Sequence, residues 1–221
     1  MNFDELFDNS FIPEMISSKL HKTLSKKECR AIYYYFKRKK PKNVMEVGVQ
    51  YGCSTAIFLE IARWLDLEIN LHSWDIEDLV KYPSKKNFTL HLENITGREK
   101  EVIKEYKPDV IFIDVHPYKL VKNLMAVCMD NKIDFMMHDI WKAGLDVARR
   151  RSNPDNKPNL PDGVDITVDV GKGTVPWEVY LIGKLIDESI WDNDYYENDD
   201  LEVKCTREKL GIGIIEFKRQ L

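Results

Sequence analysis

The sequence predicts an α/β protein: an open sheet of mostly parallel strands with helices on both faces. Three observations carry this. Asn43 to Val47 is a short apolar run broken by one acid, Glu46; it ends in Gly48, and Ile57, Phe58, Ile61, Trp64 and Leu65 then recur at helical spacing. Asp109 to Asp114 is a wholly apolar run bounded by acids, the pattern of a central parallel strand buried on both faces. The candidate strands end in polar residues, and ligands of open α/β sheets bind along the carboxyl edge of such strands.

The elements follow in order. Residues 1 to 24 form a polar and aromatic arm. Ser25 to Glu28 has the spacing of a capping box and opens a helix through Ala31, Ile32, Tyr35 and Phe36. The helix ends in Lys37 to Lys40 before Pro41, where cations suit the C-terminal dipole better than they would serve an RNA contact. After the glycine turn, Ile69 to Trp74 is a second strand ending at Asp75, and Leu90 to Asn94 is a third with its polar tip at Asn94, Ile95 and Thr96. Asp109 to Asp114 is the fourth and Ile133 to Asp139 the fifth. Leu201 to Cys205 and Ile212 to Phe217 form a closing antiparallel hairpin, and Asp192 to Asp200 reads as a solvated acidic loop. Residues 1–42 are thus an N-terminal arm and helix, and 43–221 one α/β domain.

Bulk properties exclude some classes. The chain has 221 residues, enough for one α/β domain with a proper core, and a net charge of −4. No basic stripe of the kind nucleic-acid binding needs is present. Cys29, Cys53, Cys128 and Cys205 lack metal spacing and fit a reducing compartment rather than a disulfide framework. With no signal peptide and no membrane-length apolar run, the expected location is the cytoplasm. A homo-oligomer is compatible with all of this.

The glycine turn is the chemical centre of the sequence. Glycine tolerates positive φ and lets backbone approach a ligand, and the following helix points free N–H groups at the same place. Dinucleotide sites use G-x-G-x-x-G, whereas Gly48 and Gly52 give G-x-x-x-G behind an acid, Glu46, which would repel a diphosphate but suits a cationic or hydroxyl-rich ligand. Glu46, Gly48, Gly52 and Ser54 together resemble motif I of the class I S-adenosylmethionine (SAM) methyltransferases, E-x-G-x-x-x-G-x-S. Phe112 to Tyr118 resembles F-I-D-G-x-H-x-Y of the small-molecule and sugar O-methyltransferases of methyltransferase family 24, one residue shorter between acid and histidine. His138-Asp139 resembles the H-D that follows strand five, also found among cephalosporin-hydroxylase-like and macrolide-sugar methyltransferases. The resemblance spans roughly residues 40 to 145, with an echo at Gly211 to Phe217.

This resemblance implies a Rossmann-like three-layer sandwich with a seven-stranded sheet and SAM-dependent O-methylation of a sugar or other small hydroxylated metabolite. It implies a cofactor shell of Glu46, Gly48, Gln50, Tyr51, Gly52, Ser54 and Thr55, with Asp75 and Ile76 at the ribose and Asn94 or Ile95 beside adenine. Asp114 closes that shell and, with Asp139 and His138, is a candidate ligand of Mg²⁺ or another divalent cation. Hard oxygens suit Mg²⁺, while an imidazole tilts the preference toward Mn²⁺ or a transition ion. His116 is the candidate base, with His138 as its alternative or as a supporting partner.

Plainer readings stand beside these. Glu46 could bind the amides of its own turn, Asp75 and Asp139 could cap helices, and His116 could be an ordinary loop histidine. Trp141 and Trp177 could line an acceptor pocket or simply pack, and Arg149 to Arg151 could hold an acidic ligand or end a helix. Gly171 to Thr174 lacks the spacing of a phosphate-binding P-loop. The competing functions are N- or RNA methylation on the same fold, a catalytically silent SAM-binding scaffold and, more remotely, an NAD-dependent reductase.

Overall fold

The computed structural model describes residues 2–18, 24–82, 84–140, 178–191, 193–206 and 211–218. Trp141, Arg149 to Arg151, Gly171 to Thr174 and Trp177 lie outside the described residues. The elements are α1 (Phe3–Asp8), α2 (Ile12–Ser17), α3 (Lys26–Lys39), β1 (Asn43–Val47), α4 (Cys53–Trp64), β2 (Asn70–Asp75), β3 (Thr89–Leu92), α5 (Glu99–Tyr106), β4 (Val110–Ile113), α6 (Tyr118–Asn131), β5 (Asp134–His138), α7 (Glu178–Leu185), β6 (Tyr195–Glu197), β7 (Leu201–Thr206) and β8 (Ile212–Phe217). The strands join in the order β3-β2-β1-β4-β5-β8-β7-β6.

Two compact units divide the chain: Met1–Asn94 with Tyr106–Phe112, and Ile95–Glu105 with Ile113–Leu221. In the first unit β1 pairs with β2 and β2 with β3, all parallel. All four residues of β4 are buried, as its unbroken apolar run requires. Phe36 of α3 stacks on Phe58 of α4 at 6.0 Å, and Phe58 meets Phe112 edge-on at 5.0 Å. Helix α3 begins with the capping box read from the sequence. Ser25 Oγ accepts the Glu28 amide at 3.3 Å, and the Glu28 carboxylate accepts the Ser25 amide. The helix stops at Lys40, whose φ of 50° is left-handed, directly before Pro41.

The N-terminal segment is more ordered than a polar arm. It holds two short helices that bury Phe3, Phe7, Ile12 and Met15. Phe3 sits 5.3 Å from the Tyr33 ring and 6.2 Å from Trp64. Helix α1 also has its own capping box, formed by Asn2 and Glu5. Its six residues are too few for a periodicity to stand out.

In the second unit β5, β8, β7 and β6 pair antiparallel in sequence. Burial alternates along β7, while all of β8 is buried. Asp134 fixes the β5–β8 edge by accepting the Phe217 amide at 2.8 Å. The expected count of seven strands is corrected to eight. The extra strand is Tyr195–Glu197, inside the segment read as an acidic loop, and it pairs with Glu202 to Lys204. The two tyrosines favour extended backbone, and a short, charged edge resists further strand pairing. All four cysteines are buried. Among the described residues no helix is long and apolar enough to cross a membrane.

The capping box gives the first prediction. Ser25→Ala removes the side-chain acceptor of a buried helix start. It should cost about 1 kcal/mol, or a melting temperature lower by roughly 2–4 °C in a protein of this size, read by circular dichroism.

Candidate active site

The first unit builds the glycine turn around a buried carboxylate. Glu46 is fully buried in β1 and accepts three hydroxyl hydrogen bonds: from Ser54 at 2.5 Å, Thr55 at 2.6 Å and Ser73 at 2.7 Å. A buried carboxylate is costly unless its oxygens are satisfied, and these donors come from α4 and β2. Ser54 and Thr55 are therefore turned inward, toward Glu46, and both are buried. Ser73 was not singled out in the sequence. Its signal was a hydroxyl on the inward face of β2, two residues from buried Leu71.

The turn itself needs left-handed backbone at Gly48 (φ 95°), Gln50 (φ 47°) and Gly52 (φ 80°). The Gly48 amide donates to Trp74 at 2.9 Å. Gly52 is the tightest point: a Cβ there would lie 1.6 Å from the Tyr82 carbonyl oxygen. Segment 81–82 is laid across the turn, with the amides of Lys81 and Tyr82 donating to the Tyr51 carbonyl at 3.0 and 3.1 Å. The Lys81 ammonium lies 4.6 Å from the Tyr51 ring centre.

Asp75, at the tip of β2, braces this loop. Its Oδ2 accepts the amides of Val49 at 2.9 Å and Gln50 at 2.7 Å, and its Oδ1 accepts the Ile76 amide at 2.7 Å and the Glu77 amide at 3.3 Å. Among the described residues no helix starts directly after Asp75 for it to cap. Ile76 is 71% exposed, an unusual position for isoleucine. Asn94 is exposed, whereas Ile95 is buried.

The second unit gathers the other candidates. Asp114 follows β4, His138 ends β5, and Asp139 stands next to it with a left-handed φ of 62°. Such backbone in a residue other than glycine is strained and concentrates at functional positions. Asp114, His138 and Asp139 each offer one ligand atom, all within 4.8 Å of one another. His138 Nδ1 lies 3.2 Å from Asp114 Oδ1 and 3.7 Å from Asp139 Oδ1. Two carboxylates and one imidazole fit a divalent cation of the Mg²⁺ to Mn²⁺ class.

His116 completes the group. Its Nε2 is 3.7 Å from Asp139 Oδ2, and its Nδ1 is 3.3 Å from Oε1 of Glu178, a residue of α7 that is 1% exposed. Glu178 was not anticipated, because a lone acid before an apolar run carries no signal of a partner 62 residues away. The hydrogen bond to Glu178 and the charges of Glu178, Asp139 and Asp114 outweigh burial and push His116 up to about 9. Burial pushes Glu178 up to about 7 against the pull of His116. Burial also opposes the charge of Asp114, yet His138 and His116 hold its carboxyl below the usual carboxylate range.

No protein-family model and no curated protein matches the sequence. Solved structures do match the fold. A proposed caffeoyl-CoA O-methyltransferase from Staphylococcus aureus is similar over 99% of both chains, with a TM-score of 0.62 and 15% identity. The MycE methyltransferase of the mycinamycin biosynthetic pathway, in complex with Mg and SAH, matches 99% of this chain and 55% of its own, with a TM-score of 0.55 and 15% identity. The cmcI structure with SAH matches 55% of this chain at a TM-score of 0.45 and 17% identity, and the chain spans 64% of its length. The chain therefore has the Rossmann-like α/β fold of the class I methyltransferases.

Two predictions follow from these geometries. Glu46→Gln turns one acceptor oxygen into a donor facing hydroxyl donors. The loss should be about 1.5–3 kcal/mol, the worth of a hydrogen bond to a charged group, read from the urea midpoint. The second concerns pH in the chelated, metal-free protein. The folded state raises His116 to about 9 from an ordinary 6.5, so its stabilisation is complete below 6.5 and is lost as pH rises toward 9. The melting temperature should fall across that window, and His116→Gln should flatten the fall.

Proposed function

We propose that the protein is a SAM-dependent O-methyltransferase acting on a small hydroxylated metabolite, with a sugar as the favoured acceptor class. One observation carries this reading: Asp114, His138 and Asp139 converge beside His116 in a chain with this fold. The MycE structures support a small-molecule acceptor, since one of them holds Mg, SAH and mycinamycin VI.

In this reading SAM supplies an electrophilic methyl group on a sulfonium, and a divalent cation supplies the charge that lowers the pKa of a bound hydroxyl. The chain supplies positioning, from which much of the rate of an in-line displacement derives. Gly48, Gln50, Tyr51 and Gly52 shape the cofactor turn, held from beneath by Glu46, Ser54 and Thr55. Asp75 would serve the ribose hydroxyls as an acceptor while its Oδ2 holds the Val49 and Gln50 amides. Exposed Ile76 and Asn94 would lie against the nucleoside, with buried Ile95 the other adenine-side candidate. Asp114 and Asp139, with His138, hold the cation. His116 takes the acceptor proton at Nε2 as the acceptor oxygen bonds to the methyl carbon and the carbon–sulfur bond breaks.

His116 must be neutral to do so. A cation between Asp114 and Asp139 cancels two of the charges that hold its proton. Residues 43–221 form the methyltransferase domain in this reading, with 1–42 as its N-terminal arm and helix. Buried cysteines suit the reducing cytoplasm.

Calorimetric titration with SAM and with S-adenosylhomocysteine, with and without Mg²⁺, tests this directly. The expected result is micromolar binding that weakens in Asp75→Ala, and a Mg²⁺ effect that disappears in Asp139→Asn. A folded protein that binds neither compound under any condition would sink the reading.

A further inference from the structure

We infer that Glu178 is the positioning residue of His116, fixing which imidazole nitrogen carries a proton and which faces the acidic group. The role this gives Nε2 rests on the methyltransferase reading; the hydrogen bond itself does not.

Histidine has two ring nitrogens, and the partner of one decides the role of the other. Here Nδ1 faces Glu178 Oε1 at 3.3 Å and Nε2 faces Asp139 Oδ2 at 3.7 Å. Nδ1 is thereby engaged as a donor to a carboxylate, and Nε2 is the nitrogen presented beside Asp139. Rotating the ring by half a turn would put a ring carbon where each nitrogen now stands, breaking the Glu178 contact and turning Nε2 away from Asp139. A carboxylate behind an imidazole holds orientation and tautomer without itself reacting.

Two plainer roles for Glu178 fit less well. An acid in the first turn of a helix favours the dipole, but that benefit is available at the surface. Glu178 is 1% exposed, and its Oε2 has no partner among the described residues. Burying a carboxyl on so few bonds is costly, and an apolar residue would pack at lower cost. As a fourth cation ligand it would have to join Asp114, His138 and Asp139, yet it stands outside the group whose ligand atoms lie within 4.8 Å. Its carboxylate instead meets the histidine ring at Nδ1.

The test is ¹H–¹⁵N NMR of the full chain in chelator, followed to a pH above 9 where the ring is neutral, with His116→Gln to assign the ring signals. A low-field Nδ1–H resonance of His116 should be present and should vanish in Glu178→Ala. Glu178→Gln keeps the shape and an acceptor oxygen, so the resonance should persist but move upfield. Absence of the resonance in the wild-type protein, or its survival in Glu178→Ala, would overturn the assignment. So would a Glu178→Gln ring spectrum identical to wild type, which also covers the case in which Glu178→Ala fails to fold. SAM titration of Glu178→Gln separates the two claims. Unchanged affinity with a shifted ring signal supports both. A wild-type protein that shows the resonance but binds neither SAM nor S-adenosylhomocysteine keeps the pair and removes the methyltransferase reading.

Discussion

The first unit of this protein depends on one buried carboxylate. Glu46 sits in the middle of β1 with no exposure, and charge in that position is tolerable only because three hydroxyls donate to it. The donors are spread over different elements: Ser54 and Thr55 open α4, and Ser73 lies in β2. One side chain thus ties strand, helix and neighbouring strand together where the glycine turn must hold its shape. Each such bond to a charged acceptor contributes on the order of 1.5–3 kcal/mol, and each depends on the others for geometry. Of the left-handed positions in the turn, Gly48 and Gly52 adopt theirs freely, while the backbone at Gln50 is strained. It persists because Glu46 fixes one flank of the turn and Asp75 the other.

Much of the fold was legible because its signals are local. The turn at Gly48 to Gly52, the Ser25 to Glu28 box and the Asp109 to Asp114 run each announce themselves within ten residues. β1 matches its expected bounds, and the other parallel strands shift by one or two residues at their ends, where hydrogen bonds rather than composition decide. What escaped was set by contacts distant in sequence or elements too short to show a period. Tyr195 to Glu197 becomes a strand only because β7 is there to receive it. Helices α1 and α2 are six residues each and gain their stability from burying Phe3, Phe7, Ile12 and Met15.

The site divides along the same line. Asp114, His116, His138 and Asp139 stood out because each lies at or just past the end of a recognisable strand, and the first, third and fourth were grouped as candidate ligands. Which histidine nitrogen faces which carboxylate is a matter of angstroms and carries no sequence signal. Ser73 and Glu178 were missed for related reasons. Their chemistry lies in a partner 27 and 62 residues away respectively, and neither residue type is unusual at its position. The readings of Glu46 and Asp75 also changed in content. Both acids bind the protein's own hydroxyls and amides, so their first task is to build the turn that any cofactor would meet.

The carboxylates of the two units differ in one decisive way, and it sets what each unit can do. Glu46 and Asp75 are satisfied by hydroxyls and backbone amides, donors that neither gain nor lose a proton near neutrality. Their arrangement is a fixed frame. Asp114, Asp139 and Glu178 are set against His116 and His138, groups whose charge changes with the proton. There the number of protons is adjustable, and a cation can substitute for one. Asp139 is held in left-handed backbone to reach this group. A frame that must not titrate suits recognition of a cofactor, and a group that must titrate suits proton removal from an acceptor. The first kind of carboxylate lies in one unit and the second kind in the other.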